Sequence, residues 1–274
     1  MINDNVFCIG NGESRKHLNL ESLRPFGKIY GCNALYRDFL PDTITAVDHG
    51  IMHEIYHAGI AKKIPCYFRD WTKLPPEMYD HVVMGGCSIE EVGFIKQSAL
   101  IENERKDSDK FVIHGANLSS IKKNIEQNKK YPNKIHTRIS WIQKPDYSYS
   151  INDLMQPKDR GWACGATSAF MAIIHETPRR IYMIGQDLNS TTSKINNLYK
   201  NTDNYNREDH HPTPSVNWIK QWRELMREHP HIQFIKVNTH NNGGDKVNRP
   251  IEEWNLLTNL KYIDYQELDN LLKV

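Results

Sequence analysis

The sequence has no long apolar run, no paired cysteine motif and no strong excess of either charge. Its longest apolar stretches, such as 169–174, are far shorter than the roughly 20 residues that span a bilayer. The first residues show no basic stretch before an apolar run, so no secretory signal is expected. Lysine and arginine total 35 against 33 acidic residues, a net charge of +2, which argues against nucleic-acid binding through bulk charge. We therefore expect a cytoplasmic protein without an integral membrane segment.

Cysteine is sparse, odd in number and widely spaced. The five residues are Cys8, Cys32, Cys66, Cys87 and Cys164. Without a CxxC pair, this pattern is typical of reduced thiols and not of a disulfide framework. The first three lie in apolar runs, where a free cysteine acts as a small hydrophobic residue. A chain of 274 residues can also bury a core without disulfide or metal staples.

What is present is an alternation of β-rich runs and helical patterns. Strands are predicted at 6–9, 28–32, 43–47, 64–68, 110–114, 135–142, 180–184 and 232–237. Helices are predicted from Ser14 through Leu23 and at 51–62, 166–175 and 215–228. This spacing favours parallel βαβ units. The predicted fold is α/β, doubly wound and Rossmann-like, with a mostly parallel sheet and helices on both faces, in one domain spanning 1–274.

Three stretches depart from this regular pattern, and the first two overlap. Residues 85–155 form a less regular insertion, and 145–161 is a turn-rich loop. Residues 189–214 are polar and have no apolar period, which predicts a lid loop, because structureless stretches of this length are usually functional or disordered.

Gly10-Asn11-Gly12 follows the first strand and precedes Ser14. Glycines let the chain turn sharply, and the N-terminus of a following helix favours phosphate. The third glycine of the dinucleotide fingerprint is replaced by Arg15, which argues against NAD. The alternative is an ordinary turn with Ser14 as the N-cap.

Several other residues lie at strand ends or helix starts, where parallel sheets bind ligands. Asn33 and Asp48 follow the second and third strands, and each could instead be a turn or cap residue. Cys164, Gly165 and Ala166 open a helix, where Cys164 could be a nucleophile or a packing residue.

A further group lies at and beyond the strand at 180–184. Asp187 follows that strand and could bind a hydroxyl or orient a catalytic group. His210 and His211 in the lid are candidates for a general base, or else a surface pair. Tyr199 and Tyr205 could donate to a leaving phosphate.

His53-Glu54-Ile55-Tyr56-His57 matches the zinc pattern H-E-x-x-H. The position that would supply a third ligand in the extended pattern holds Lys63, and the segment lies in a βαβ crossover. A zinc protease is therefore a disfavoured alternative.

The order of these motifs resembles the bacterial sialyltransferases that use CMP-sialic acid, and the phage and bacterial proteins similar to them. The resemblance covers 5–50 and 160–190. It implies metal-independent glycosyl transfer with no cofactor beyond a nucleotide-sugar co-substrate. By this resemblance, Asn11, Ser14 and Asn33 contact the nucleotide, and His210 or His211 is the base. Cys164 and Gly165 replace a Thr/Ser-Ser pair, so the sugar need not be sialic acid. The expected partners are a nucleotide sugar and a glycan or modified-base acceptor, with a homo-oligomer as a further option.

Three alternatives stay open. A pterin-type pyrophosphokinase would hold Mg²⁺ through Asp48 and Asp187. A glycosyltransferase acting on a hydroxylated base in phage DNA would use basic residues around 122–138. The third alternative is a nucleotide-binding module without catalytic activity, whose behaviour would not change if His210 and His211 were replaced by alanine.

Overall fold

The computed structural model of the chain describes residues 4–74, 111–114, 138–141, 146–190, 192–238 and 250–272. The chain forms two compact units. The first comprises Met1–Thr45 with Gly161–Val274, and the second comprises Ala46–Arg160. The predicted insertion at 85–155 belongs to the second unit, and most of it lies outside the described residues.

The described elements are numbered along the chain. The strands are β1 Asn5–Ile9, β2 Lys28–Cys32, β3 Thr43–Ala46, β4 Cys66–Phe68, β5 Trp71–Leu74, β6 Phe111–His114, β7 Arg138–Trp141, β8 Ser148–Ser150, β9 Arg180–Ile184, β10 Gln233–Asn238 and β11 Leu260–Asp264. The α-helices are α1 His49–His57, α2 Ile151–Leu154, α3 Cys164–Glu176, α4 Val216–Glu228 and α5 Tyr265–Leu272. Short 3-10 helices cover Glu13–Arg15, Leu20–Phe26, Asn33–Arg37, Ile60–Lys62 and Glu252–Trp254.

The first unit is built on strands in the order β11-β10-β9-β1-β2-β3, and these neighbours pair in parallel. The chain starts at β1, moves outward through β2 and β3, then returns to the other side of β1 as β9. In the second unit β4 pairs in parallel with β8, and β5, β6 and β7 form a small antiparallel sheet. The predicted doubly wound α/β fold with a mostly parallel sheet is therefore confirmed.

Helices cover both faces of the first unit's sheet, because successive side chains on a strand point to opposite faces. Ile29 on β2 belongs to an apolar cluster that includes Leu268 and Leu272 of α5. Its neighbour Tyr30 points the other way, and the Tyr30 hydroxyl donates to Glu176 of α3 at 2.9 Å. Strands buried on both faces by helices are typical of parallel sheets.

The predicted α-helix from Ser14 to Leu23 is wrong. Two 3-10 helices stand in its place, and the break falls at Asn19, whose side-chain oxygen accepts from the Glu21 amide and caps the second one. Asparagine offers the backbone such local alternatives to a continuous helix. Pro25 lies inside the second 3-10 helix, where it removes a further backbone donor.

Five described strands and helices were missed by the sequence prediction, and the first of them is β5, Trp71–Leu74. The predicted loop at 145–161 contains β8 and α2, and residues 260–272 form β11 and α5. By contrast, 189–214 contains no helix or strand among its described residues, as its composition predicts. None of the helices in the described ranges has both the length and the apolar character needed to cross a membrane.

Candidate functional site

The carboxyl ends of β1 and β9 lie side by side in the first unit and mark the point where the chain's winding direction reverses. Ile9 is the register partner of Ile184, so the loops that follow these two residues are neighbours. Gly10-Asn11-Gly12 is one loop, and Gly185-Gln186-Asp187 is the other. In open α/β sheets, ligands bind in the crevice at such a switch point.

The two loops are joined by backbone hydrogen bonds. The Gly10 amide donates to the Ile184 carbonyl at 2.8 Å, and the Gly12 amide donates to the Gly185 carbonyl at 2.9 Å. A Cβ on Gly12 would overlap the Asp187 carboxylate and lie 2.7 Å from the Gly185 oxygen. The glycines are therefore required by the close approach of protein to protein, not by the approach of a ligand.

Asp187 is a buried carboxylate that holds the first loop in place. Both the amide and the hydroxyl of Ser14 donate to it, the amide at 3.1 Å. Asn196 Nδ2 adds a third bond at 3.0 Å, and Asn196 Oδ1 accepts from the Glu13 amide at 2.8 Å. Ser14 therefore lies inside a 3-10 turn as a partner of Asp187, and it is not the N-cap of a helix.

These bonds change the expected phosphate site after β1. The amides of Gly12, Glu13 and Ser14 already donate to protein oxygens, and no α-helix follows to add free amides and a dipole. An anion could bind this turn only by displacing those acceptors. The polar groups available to a ligand lie beside the turn.

Asn11 and Asn33 supply such groups at the ends of β1 and β2. Asn11 Nδ2 donates to the Tyr205 hydroxyl at 3.2 Å, and the same hydroxyl accepts from the Ala34 amide at 3.2 Å. In the part of the chain that the structure describes, the side-chain oxygens of Asn11 and Asn33 are buried without a hydrogen-bond partner. Because buried polar atoms are usually satisfied by protein, ligand or water, these two oxygens leave two acceptors open to a hydrogen-bond donor at this edge of the sheet.

The start of α3 lies at the same edge of the sheet. Ala163 occupies the N-cap position without a side-chain hydrogen bond to the helix. The Cys164 thiol donates to the Thr45 carbonyl at 2.8 Å, and a Cβ on Gly165 would lie 2.5 Å from Gln186 Oε1. The predicted nucleotide-binding residues Cys164, Gly165 and Ala166 thus open an α-helix of 13 residues, and the N-terminus of a helix favours an anion.

Tyr199 is held by a network that the sequence did not reveal. Its hydroxyl donates to the Asp38 carboxylate and accepts from Arg15 Nη2 at 2.9 Å. Burial raises the pKa of Tyr199, and the bond to Asp38 raises it further. Arg15 is itself buried and donates from Nε to the Gly10 carbonyl at 2.7 Å. The only sequence signal for this network is an arginine where the dinucleotide fingerprint has its third glycine.

Segment 189–214, of which residue 191 is not described, is tethered to the loops after β1 and β2. The Leu198 amide donates to the Asn11 carbonyl at 2.9 Å, and Lys200 pairs with Glu13 at 2.6 Å. Arg37 donates to the Thr202 hydroxyl at 2.6 Å. The Tyr205 hydroxyl joins the segment to both loops through its bonds to Asn11 and Ala34. Burial raises the pKa of this hydroxyl.

His210 and His211 lie in the same segment with exposed side chains. The His210 carbonyl accepts from the Ile195 amide at 3.1 Å, which fixes the backbone at this position. Within the described ranges, no hydrogen bond joins either imidazole to Asp187, Asn11 or Asn33. The structure therefore brings Asn11, Ser14, Asp187 and Tyr205 together, and leaves the two histidines facing solvent.

Lys236 on β10 is another buried residue near the site that the sequence did not reveal. It is 1% exposed, and burial lowers its pKa to about 8, although the Asp187 carboxylate opposes the shift. Buried lysines of this kind are uncommon and cluster at functional sites. The residue type predicts exposure, so nothing in the local sequence indicates that this lysine lies inside.

Two further candidates belong to the second unit. Asp48 lies at the N-cap of α1 with an exposed side chain. The H-E-x-x-H residues form α1 itself, where the His53 and His57 rings stack 6.1 Å apart and His53 packs 5.4 Å from Trp71. The described residues contain no cluster of three or more histidine, cysteine or acidic side chains that could hold a metal ion.

Comparisons of the chain with protein-family models, with curated proteins and with solved structures gave no match.

Proposed function

We propose that the chain is a glycosyltransferase that moves a sugar from a nucleotide-sugar donor to an acceptor hydroxyl. The observation that carries the proposal is the pair of buried, unpartnered amide oxygens of Asn11 and Asn33 at the switch-point edge of a doubly wound sheet. Amide side chains both donate and accept, which suits them to a base or ribose edge.

The donor's phosphate is assigned to the start of α3 instead of the turn after β1. The helix amides at Cys164, Gly165 and Ala166 and the positive end of a 13-residue helix favour an anion there. The turn after β1 then has a supporting role, since it positions Asn11 through the bonds of its neighbours to Asp187.

Segment 189–214 acts as the lid in this proposal. Tyr205 already contacts Asn11 and can turn its hydroxyl toward a leaving phosphate, whereas Tyr199 is committed to Arg15 and Asp38. His210 or His211 takes the acceptor proton as the acceptor oxygen bonds the anomeric carbon and the bond from that carbon to the phosphate oxygen breaks. Asp187 is a positioning residue, because Ser14 and Asn196 bind its carboxylate.

The proposal is tested by thermal shift with CMP, UDP, GDP, ATP and the corresponding nucleotide sugars, each without metal. A ligand that binds only the native state raises the melting temperature. We expect a shift with one nucleotide or its sugar in the presence of EDTA. A shift with ATP that requires Mg²⁺ would contradict the proposal and favour the pyrophosphokinase.

Matched variants locate the binding. Asn33→Gly removes the amide yet keeps the left-handed backbone at φ 50°, which glycine adopts freely. We expect Asn33→Gly to abolish the ligand shift, and the control Asn217→Ala on the exposed side of α4 to retain it. Equal shifts in both variants would place the ligand elsewhere.

A further inference from the structure

The Tyr205 hydroxyl lies where two protein donors converge at the ends of β1 and β2. Asn11 Nδ2 and the Ala34 amide both donate to it, each at 3.2 Å. Asn11 and Ala34 each lie two residues past the end of a strand, whereas Tyr205 comes from segment 189–214, 171 residues after Ala34. An oxygen atom from a distant part of the chain therefore fills a position that the two strand ends create.

The match between this hydroxyl and its surroundings is incomplete. A phenolic hydroxyl can donate one hydrogen bond as well as accept. Among the described residues, the Tyr205 hydroxyl accepts two bonds but has no acceptor for its own proton. The side-chain oxygen of Asn11, and that of Asn33 directly before Ala34, are buried there without a partner. Tyr205 thus satisfies the donors at this edge and leaves two acceptors open.

The loop that carries Tyr205 is held at the sheet edge partly by exposed contacts. Residues 201–206 form a compact loop whose two ends are joined by a backbone hydrogen bond of 3.1 Å. Arg37 binds this loop through the Thr202 hydroxyl at 2.6 Å and the Asp203 carbonyl at 2.9 Å. Both bonds are exposed, so water competes for them and each contributes little net stability. The loop can therefore be displaced at a modest cost.

We propose that Asn11 Nδ2, the Ala34 amide and the two open asparagine oxygens form a binding subsite for the ribose hydroxyls of a nucleoside, and that the Tyr205 hydroxyl occupies this subsite when no ligand is bound. The inference rests on the proposed function, because it takes the ligand to be a nucleoside. Neighbouring ribose hydroxyls each accept and donate, which matches two donors beside two acceptors. The ligand displaces the Tyr205 hydroxyl and thereby frees it for the leaving phosphate.

Tyr205→Phe tests the competition, because it removes the occupying oxygen and keeps the ring. Without the hydroxyl, Asn11 Nδ2 and the Ala34 amide have no partner in the ligand-free chain, so the ligand no longer has to displace one. The dissociation constant of a ribonucleoside should therefore fall by about tenfold relative to wild type. Tyr147→Phe, at an exposed tyrosine of the second unit, is the control and should leave the constant unchanged.

The measurement is a titration of the full-length chain with cytidine, uridine, guanosine and adenosine, followed through amide chemical shifts in NMR spectra. Each nucleoside is compared with its 2′,3′-dideoxy form, which lacks the ribose hydroxyls and should bind at least about tenfold more weakly.

A second readout uses the wild-type chain alone. Saturation with the ribonucleoside should speed nitration of Tyr205 by tetranitromethane by about tenfold, because the hydroxyl loses the two bonds that hold it. Trypsin releases peptide 201–207, in which Tyr205 is the only tyrosine, so mass spectrometry reads its nitration directly. Should Tyr205→Phe fail to fold, the dideoxy comparison and this nitration rate decide the question.

The inference is overturned if Tyr205→Phe binds ribonucleosides no more tightly than wild type, if the dideoxy forms bind equally well, or if bound ribonucleoside does not speed nitration of Tyr205. Failure of the proposed function gives a different result: a ribonucleoside still binds Tyr205→Phe more tightly, while no nucleotide sugar raises the melting temperature of wild type. Binding of a nucleotide sugar but of no nucleoside overturns the subsite and leaves the proposed function standing. If neither kind of ligand binds, both are overturned.

Discussion

At the scale of single residues, the turn after β1 is determined by the fit between Gly12 and Asp187. Gly12 has ordinary extended dihedral angles, φ −65° and ψ 147°, so any residue could adopt its backbone. What excludes a side chain is the Asp187 carboxylate, which occupies the space of a Cβ. The cost of substitution is therefore steric and not conformational.

Gly12→Ala should lower the free energy of unfolding by about 3 kcal/mol, because overpacking would push Asp187 away from Ser14. Gly161→Ala is the matched control in the same unit. Gly161 has φ 66°, and a Cβ added there would meet nothing within 4 Å, so alanine costs only left-handed strain, roughly 1–2 kcal/mol. Urea titration of both variants measures the difference. Equal losses, or a smaller loss for Gly12→Ala, would show that the two loops are not packed as described.

Lys236 gives a pH-dependent prediction. Its pKa is about 8 in the folded chain against 10.5 for an ordinary lysine, so above pH 8 the unfolded chain binds more protons at this site. Stability rises with pH wherever the unfolded state binds more protons. The penalty of burying the ammonium is thus full below pH 8 and fades as the pH rises toward 10.5.

The difference in unfolding free energy between wild type and Lys236→Met should therefore move by about 1 kcal/mol in favour of wild type from pH 7 to pH 9. Lys261→Met, at an exposed position on β11, should show no such trend. Urea titrations at the two pH values measure both differences. A flat or opposite dependence for Lys236→Met would mean that the ammonium keeps its charge when buried.

At the scale of elements, the sequence predicts those whose side-chain pattern reflects burial on both faces. Strands β1, β2 and β9 are found within a residue of their predicted ends, because each is a largely apolar run that is followed directly by glycine or asparagine. The strand β8 is different: Ser148-Tyr149-Ser150 is short and polar, and its pairing with β4 rests on backbone bonds that composition does not reveal.

The residues of the candidate site also divide into those that the sequence could predict and those that it could not. Motifs at strand ends, such as Asn11, Asn33 and Asp187, could be predicted because parallel strands place their carboxyl ends together. The Arg15–Tyr199–Asp38 network could not, because Tyr199 is 161 residues from Asp38 and each residue type is ordinary in a polar loop. Tertiary contacts of this kind leave no local pattern.

Segment 189–214 should loosen when its contact at Tyr205 is removed. The Tyr205 hydroxyl accepts from Asn11 Nδ2 and from the Ala34 amide, and leaving such donors unpaired costs about 1–3 kcal/mol. In Tyr205→Phe, we expect amide hydrogen exchange in residues 192–206 to accelerate by roughly tenfold or more. Tyr147→Phe, at an exposed tyrosine of the second unit, is the control. Unchanged exchange in Tyr205→Phe would show that other contacts hold the segment.

At the scale of the whole molecule, the topology of the first unit points to the candidate site more directly than any single motif does. The chain winds outward from β1 in one direction and later returns through β9 in the other, which creates the switch point of the first unit. The two loops at that point are bonded to each other, and the unpartnered amide oxygens lie beside them. The central claim is that a mononucleotide binds at this edge, against Asn11, Asn33 and the start of α3.

The most direct test is a crystal structure of the chain with whichever nucleotide raises its melting temperature. The account predicts the base or ribose within hydrogen-bonding distance of Asn11 and Asn33, and the phosphate at the amides of Cys164, Gly165 and Ala166. A nucleotide bound anywhere else, with both asparagine oxygens still buried and unpaired, would contradict it.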